Sequence, residues 1–265
     1  MNFKLRPLQN ILGSVFAAGL LTVSAGVQAL PFQLTIQPIN VCDNAGLNCG
    51  NPAENVFAAE TQKIWAQAGI DVTFLAFNQL NNTSFLSIDE DNVTPAPSLA
   101  NLAFGAGNQQ NADPTVINMY FVDDIDAGGA GTTFGIAFVG GNGVAIADEV
   151  FTANGGLGRI DTIAHELGHN LGLSHSDPGM TADYLMRAGG GRNVPGSIAD
   201  ITPDGDGNDL LTVAQINEAQ ESGFVTQNEE VILPEPAGIA AMLTGLLLMI
   251  GLIRFFPAPA AARRV

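Results

Sequence analysis

The alternation of apolar and polar residues predicts two strands and a helix early in the central part of the chain. Residues 32–41 alternate, and residues 70–77 are rich in β-branched and aromatic side chains. Between them, residues 54–68 carry apolar side chains at helical spacing, with Pro52 before the segment and Gly69 after it. This strand, helix, strand order implies that the two strands are parallel.

Three further strands are predicted at residues 114–122, 135–139 and 144–147. The first is largely apolar and therefore central, and the other two flank a glycine-rich turn that favours a hairpin. The polar residues 81–113 predict a long surface excursion, whereas residues 158–173 and 211–224 have helical spacing. The pattern as a whole predicts an α+β fold with a mixed, mostly parallel five-stranded sheet.

The N-terminus has the features of an export signal. Lys4 and Arg6 precede an apolar run at residues 11–23, and Val27-Gln28-Ala29 supplies small residues for a cleavage site. We therefore predict a signal peptide over residues 1–29, with a retained membrane anchor as the alternative.

The C-terminus has a second apolar run, at residues 237–253, which Arg254 follows. Its length and the cationic residue behind it predict a single membrane-spanning helix. The run is preceded by Leu233-Pro234-Glu235-Pro236, and residues 233–265 resemble a PEP-CTERM sorting tail. That resemblance implies recognition by an exosortase-type sorting machinery, a transient inner-membrane tether and a final place in the envelope or outside a Gram-negative cell. A plain single-span anchor is the alternative.

Residues 30–232 have the size of one domain, and their charge is strongly unbalanced. They contain 25 acidic residues and four basic ones. Such a surface disfavours binding to nucleic acid or to anionic lipid, since both need a basic face.

The only two cysteines, Cys42 and Cys49, lie on either side of a loop that contains glycine and asparagine. In an exported protein this spacing predicts a local disulfide. The alternative is that Cys49 acts as an inhibitory thiolate on a metal.

Acidic residues at alternate positions indicate a possible calcium loop. Asp204, Asp206 and Asn208 offer oxygen ligands with the right spacing, although Asp209 and Gln215 depart from the EF-hand pattern. A solvated turn explains the same residues equally well.

All three histidines of the chain fall within residues 165–175, which read HELGHNLGLSH. His165 and His169 are four residues apart, so that both imidazoles lie on one face of a helix and can reach one ion. Gly172 allows a sharp turn, after which His175 can return as a third ligand. Three neutral imidazoles with one open position are typical of a catalytic zinc site, and Glu166 is placed to reach a water on the metal.

Residues 165–175 resemble the signature of the metzincin zinc endopeptidases. The sequence HELGHNLG before His175 resembles that of reprolysins, and Ser176 after His175 is matrixin-like. The resemblance implies a zincin-like fold with an active-site helix and a small C-terminal subdomain. It also implies that Met186 forms the methionine turn beneath the metal, although ordinary core packing would explain that residue too.

Together these features predict an exported zinc metalloendopeptidase that acts on protein or peptide substrates. A zinc-activated water would attack the peptide bond, with Glu166 as general base. The alternative is a surface or biofilm-matrix protein whose zinc domain binds or autoprocesses but does not cleave other proteins.

Overall fold

The computed structural model describes residues 32–90, 97–126, 128, 131–176, 179–205 and 207–227. The predicted signal peptide and sorting tail lie outside these residues. Within the described part, no helix is both long and apolar enough to cross a membrane.

The described residues form nine strands and five α-helices. The strands are β1 (Phe32–Cys42), β2 (Ile70–Phe74), β3 (Asn78–Asn81), β4 (Ser87–Asp89), β5 (Val116–Val122), β6 (Asp124–Asp126), β7 (Gly135–Ala137), β8 (Val144–Ala147) and β9 (Val225–Gln227). The helices are α1 (Ala58–Ala66), α2 (Leu99–Phe104), α3 (Glu149–Gly156), α4 (Thr162–Asn170) and α5 (Val213–Glu221).

The five predicted strands form the main path of one mixed sheet, in the order β2-β1-β5-β8-β7. All neighbours on this path are parallel except β7, which runs antiparallel to β8 at the edge. All seven residues of β5 are buried, which confirms its central place. Two short polar strands that the sequence did not predict, β3 and β9, also pair with β1, so this sheet has seven strands.

The two faces of the sheet carry separate hydrophobic clusters. Side chains alternate along β5, so Ile117, Met119 and Phe121 belong to one cluster and Tyr120 and Val122 to the other. Helices α1 and α4 pack on the first face, and α2 packs on the second.

The predicted surface excursion over residues 81–113 is wrong. This stretch contains β4 and α2, whose Ile88, Leu99 and Leu102 are fully or almost fully buried in the second cluster. Its apolar residues are few and are separated by Asn, Ser and Pro, so the sequence shows no clear period there.

Two helices are shorter than predicted because the backbone is left-handed beside them. Glu54 and Phe57 have φ of 52° and 43°, so α1 begins only at Ala58 rather than at residue 54. Gly158 and Gly172, with φ of 83° and 104°, lie on either side of α4, which covers Thr162–Asn170 instead of the predicted helix over residues 158–173. These conformations cannot continue an α-helix.

The predicted disulfide is confirmed, since Cys42 and Cys49 are bonded. The bond closes a turn at the end of β1, where the Gly50 N–H also donates to the Val41 carbonyl at 3.0 Å. The alternative in which Cys49 is a free inhibitory thiolate is therefore wrong.

Candidate active site

The three histidines come together at one end of α4, as predicted. His165 and His169 lie on the same face of the helix, and His175 returns from the loop that follows Gly172. The ring of His175 lies 5.1 Å from that of His165 and 4.7 Å from that of His169. Ligand nitrogens of all three rings lie within 4.8 Å of one another, close enough for one metal ion.

Backbone carbonyls orient the two helical histidines. His165 Nδ1 lies 2.5 Å from the Leu185 carbonyl oxygen, and His169 Nδ1 lies 2.8 Å from that of Leu173. Donation from Nδ1–H leaves the Nε2 lone pair free for a ligand bond. Burial lowers the pKa of all three histidines, which favours neutral rings. Three neutral imidazoles without a thiolate fit a catalytic zinc ion, which His165, His169 and His175 would hold.

Glu166 is 6% exposed and lies between α4 and the edge strand β7. A Cβ added at Gly135 of β7 would lie 2.7 Å from Cγ of Glu166, so the strand has room for this side chain only because residue 135 is glycine. Burial raises the pKa of Glu166 to about 8, against the opposing charges of Arg192 and Arg159. The carboxyl group thus lies at the same cavity as the three histidines.

Met186 is fully buried and packs against α4 between the two helical histidines. A Cβ added at Gly168 would lie 2.5 Å from the Met186 sulfur, so the helix and the methionine are in close contact. Met186 is therefore in contact with the helix that carries two of the histidines, and its role as a methionine floor stays a prediction.

A buried network of charged residues that the sequence analysis did not identify lies beside His165. The Arg192 guanidinium pairs with Asp161, with 2.8 Å between Nε and Oδ2, and both side chains are almost completely buried. Arg192 Nη1 donates to the Leu185 carbonyl at 3.0 Å, so that this oxygen accepts from both Arg192 and His165 Nδ1. Asp209 is buried nearby, and burial together with the Asp161 charge raises its pKa. Asp161, directly before α4, therefore pairs with a buried arginine.

The histidines and Glu166 open into a cavity of about 710 Å³. Residues 132–137 and 139 line one side, α4 lines another, and Gly189, Gly190 and Arg192 line a third. The size is typical of a ligand-binding cleft. Arg159 and Arg192 are two of only four basic residues in the predicted domain, and this scarcity is the one sequence signal that could have pointed to them.

The predicted calcium loop stays a prediction. Asp204 forms an exposed ion pair with Lys63 at 2.6 Å, and Asn208 makes backbone hydrogen bonds to Asp200 and Thr202. Asp206 lies outside the described residues. Among the residues that the structure describes, only the three histidines form a group able to hold a metal.

Comparisons with known proteins agree with the geometry. Residues 62–176 match the family model described as metallopeptidase family M12B, reprolysin-like. This match runs from α1 through all three histidines. The match and the three-histidine cluster show that the chain is a zinc metalloprotease.

Two archaemetzincins are among the similar solved structures. The one from Archaeoglobus fulgidus, complexed with malonate, is 18% identical, with 70% of this chain and 99% of that chain covered and a TM-score of 0.38. The one from Methanopyrus kandleri is 15% identical, with coverages of 72% and 95% and a TM-score of 0.44. Comparison with the curated proteins gave no match.

Proposed function

We propose that this zinc metalloprotease is an exported endopeptidase in which His165, His169 and His175 hold the zinc ion and Glu166 is the general base. One observation carries the proposal: the three ring nitrogens converge beside a buried carboxyl group at an open cavity. The finer role of Met186 as the floor of the site rests on its contact with α4 at Gly168.

Zinc, when bound, supplies a Lewis acid that acidifies water and polarises the scissile carbonyl. Glu166 then accepts a proton from the attacking water at a carboxylate oxygen and later donates it to the leaving amine.

The edge strand β7 is the proposed docking site for the substrate backbone. It is the last strand of the sheet path, and its residues line the cavity beside Glu166. An extended peptide can therefore add to the sheet through main-chain hydrogen bonds. A small C-terminal part that contains Met186 would form the opposite wall of the cleft.

Export and surface sorting rest on the sequence of the two ends. Residues 1–29 would direct export, residues 30–232 form the catalytic domain, and residues 233–265 would be read by exosortase-type machinery after tethering to the membrane. The Cys42–Cys49 disulfide supports an oxidising compartment outside the cytoplasm. A calcium ion bound by Asp204, Asp206 and Asn208 would be a structural addition.

The test compares the full chain with two variants, using cleavage of casein and zinc content per chain. Glu166→Gln keeps the histidines, so we expect it to retain zinc and to lose about 10²- to 10⁴-fold in rate. His169→Ala removes a proposed ligand and should lose both zinc and activity. Wild-type cleavage by Glu166→Gln would refute the role of Glu166. A zinc-loaded wild-type protein that cleaves neither casein nor a peptide library would favour the non-proteolytic surface protein.

A further inference from the structure

Arg159 is placed at the cavity by the turn that leads into α4. Its backbone carbonyl accepts a hydrogen bond from the Thr162 N–H at 3.1 Å. Its guanidinium lies over the ring of Phe134, 4.7 Å from the ring centroid, and both residues line the cavity with Glu166. The aromatic contact fixes the guanidinium against the irregular segment that leads into β7.

The Arg159 side chain has no ion-pair partner among the described residues. The two ion pairs found there join Lys63 to Asp204 and Arg192 to Asp161. The Nε of Arg159 is buried and has no hydrogen-bond partner in the described part of the chain. A half-buried guanidinium in this state loses hydration without a direct ion pair, so that an anion reaching it from the cavity would be favoured.

Thr162 supplies a second polar group without a partner at the same cavity. It is 3% exposed, and its Oγ1 has no hydrogen-bond partner among the residues that the structure describes. Buried hydroxyls without a partner are uncommon in folded proteins. A guanidinium and a hydroxyl at one wall of a cavity together match the oxygens of a carboxylate.

The acidic residues of the cavity do not fill this subsite. Glu90 lines the cavity, but its Oε1 accepts from the Leu99 N–H at 2.6 Å. Glu166 acts on Arg159 only at longer range, as do Asp161 and Asp209. The domain has few basic residues, so an arginine without an ion pair at the cavity makes this part of the cavity a favourable site for an anion.

We propose that Arg159 and Thr162 form a subsite for a substrate carboxylate next to the scissile bond. This inference rests on the proposed peptidase function of the same site and names its preferred substrate class. The carboxylate can belong to an internal Asp or Glu side chain or to the free C-terminus of a peptide. Both sources present the same chemistry to the subsite.

The test profiles cleavage of a peptide library by the full-length protein, with free and amidated C-termini. We expect peptides with Asp or Glu at one fixed position beside the cut to be cleaved about tenfold better than their Asn or Gln counterparts. A preference for free over amidated C-termini would assign the carboxylate to the chain terminus, and a preference for Asp or Glu that persists on amidation would assign it to the side chain. Cleavage without either preference would overturn the proposal while leaving the peptidase function intact.

Variants locate the preference on the named residues. Arg159→Gln should raise the KM for acidic peptides about tenfold and change the KM for neutral peptides little. Arg159→Lys should keep part of the preference for acidic peptides, and Thr162→Val should weaken that preference. Arg187→Gln is the matched control, because Arg187 is exposed and does not line the cavity. A readout without turnover is the Kd of Glu and Gln peptide pairs for the Glu166→Gln variant, which should favour Glu about tenfold. Equal Kd values for Glu and Gln peptides together with equal Kd values for free and amidated peptides would refute the subsite. A carboxylate preference that survives in both Arg159→Gln and Thr162→Val would refute it too.

Discussion

At the scale of single residues, the site depends on where side chains are missing as much as on the histidines. Gly135 leaves the space that Glu166 occupies, and Gly168 leaves the space for the Met186 sulfur. Both glycines bring a neighbouring element close to α4. A methyl group at either position would move a side chain that the proposed chemistry uses.

Gly135→Ala should therefore lower catalysis without removing the metal. The new Cβ would lie 2.7 Å from Cγ and 3.1 Å from Oε1 of Glu166, so the carboxylate has to move. We expect kcat to fall about 10- to 100-fold, because a displacement of about 1 Å is costly for a proton-transfer group. Steady-state kinetics and zinc content measure the two effects separately. Gly131→Ala is the control, since a Cβ there meets nothing within 4 Å and activity should not change. Zinc loss together with activity would contradict this account.

At the scale of elements, Asn170 joins the C-terminal end of α4 to the loop between β7 and β8. Its buried side-chain amide lies within hydrogen-bond distance of the carbonyls of Phe138, Gly141 and Gly143, at 3.3, 2.7 and 3.0 Å. The Gly140 N–H donates back to the His169 carbonyl at 2.8 Å. These bonds fix the edge strand relative to the histidine helix.

Asn170→Ala should increase the mobility of the edge strand β7 more than it changes the positions of the histidines. Losing the amide leaves the Gly141 carbonyl without its donor, whereas the carbonyls of Phe138 and Gly143 keep backbone donors. A buried polar group that loses its partner costs about 1–3 kcal/mol of unfolding free energy. We expect faster amide hydrogen exchange over residues 135–143 and a higher KM for extended peptides. Asn193→Ala serves as the control, because Asn193 is exposed and its amide bonds only to Asp183 on the surface. Unchanged exchange in the loop would show that other contacts hold it.

The sequence predicted those elements that are determined by a pattern within one short stretch of residues. Strand β5 was found because its residues are continuously apolar, and the zinc site was found because its histidines fall in one short segment. The late start of α1 was missed because it depends on left-handed conformations at Glu54 and Phe57, which are not glycine. The partners of His165 were missed for another reason. Leu185 and Arg192 reach it only through the fold, at separations of 20 and 27 residues.

At the scale of the whole molecule, acidic residues far outnumber basic ones, so the positions of the few arginines determine which buried carboxylates are neutralised. Arg192 neutralises Asp161 inside the protein. Asp209 is buried, and neither of its carboxylate oxygens has a hydrogen-bond partner among the described residues. Burial, and then the charge of Asp161, raises the pKa of Asp209 above its usual value. The folded state thus binds a proton at Asp209 more tightly than the unfolded state does.

The sign of this linkage predicts how stability depends on pH. The contribution of Asp209 is fully present below about pH 4, where the unfolded chain is also protonated, and it is lost as the pH rises through the raised folded pKa. Asp209→Asn mimics the neutral carboxyl group and tolerates the φ of 59° at this position. Relative to wild type, its free energy of unfolding should therefore increase between pH 5 and pH 8, by about 1–3 kcal/mol. Urea unfolding at several pH values measures this difference. Asp71→Asn removes one exposed carboxylate from β2 and should show no such trend. A constant difference between Asp209→Asn and wild type across this range would mean that Asp209 is already ionised in the folded protein, stabilised by Arg192 and Arg159.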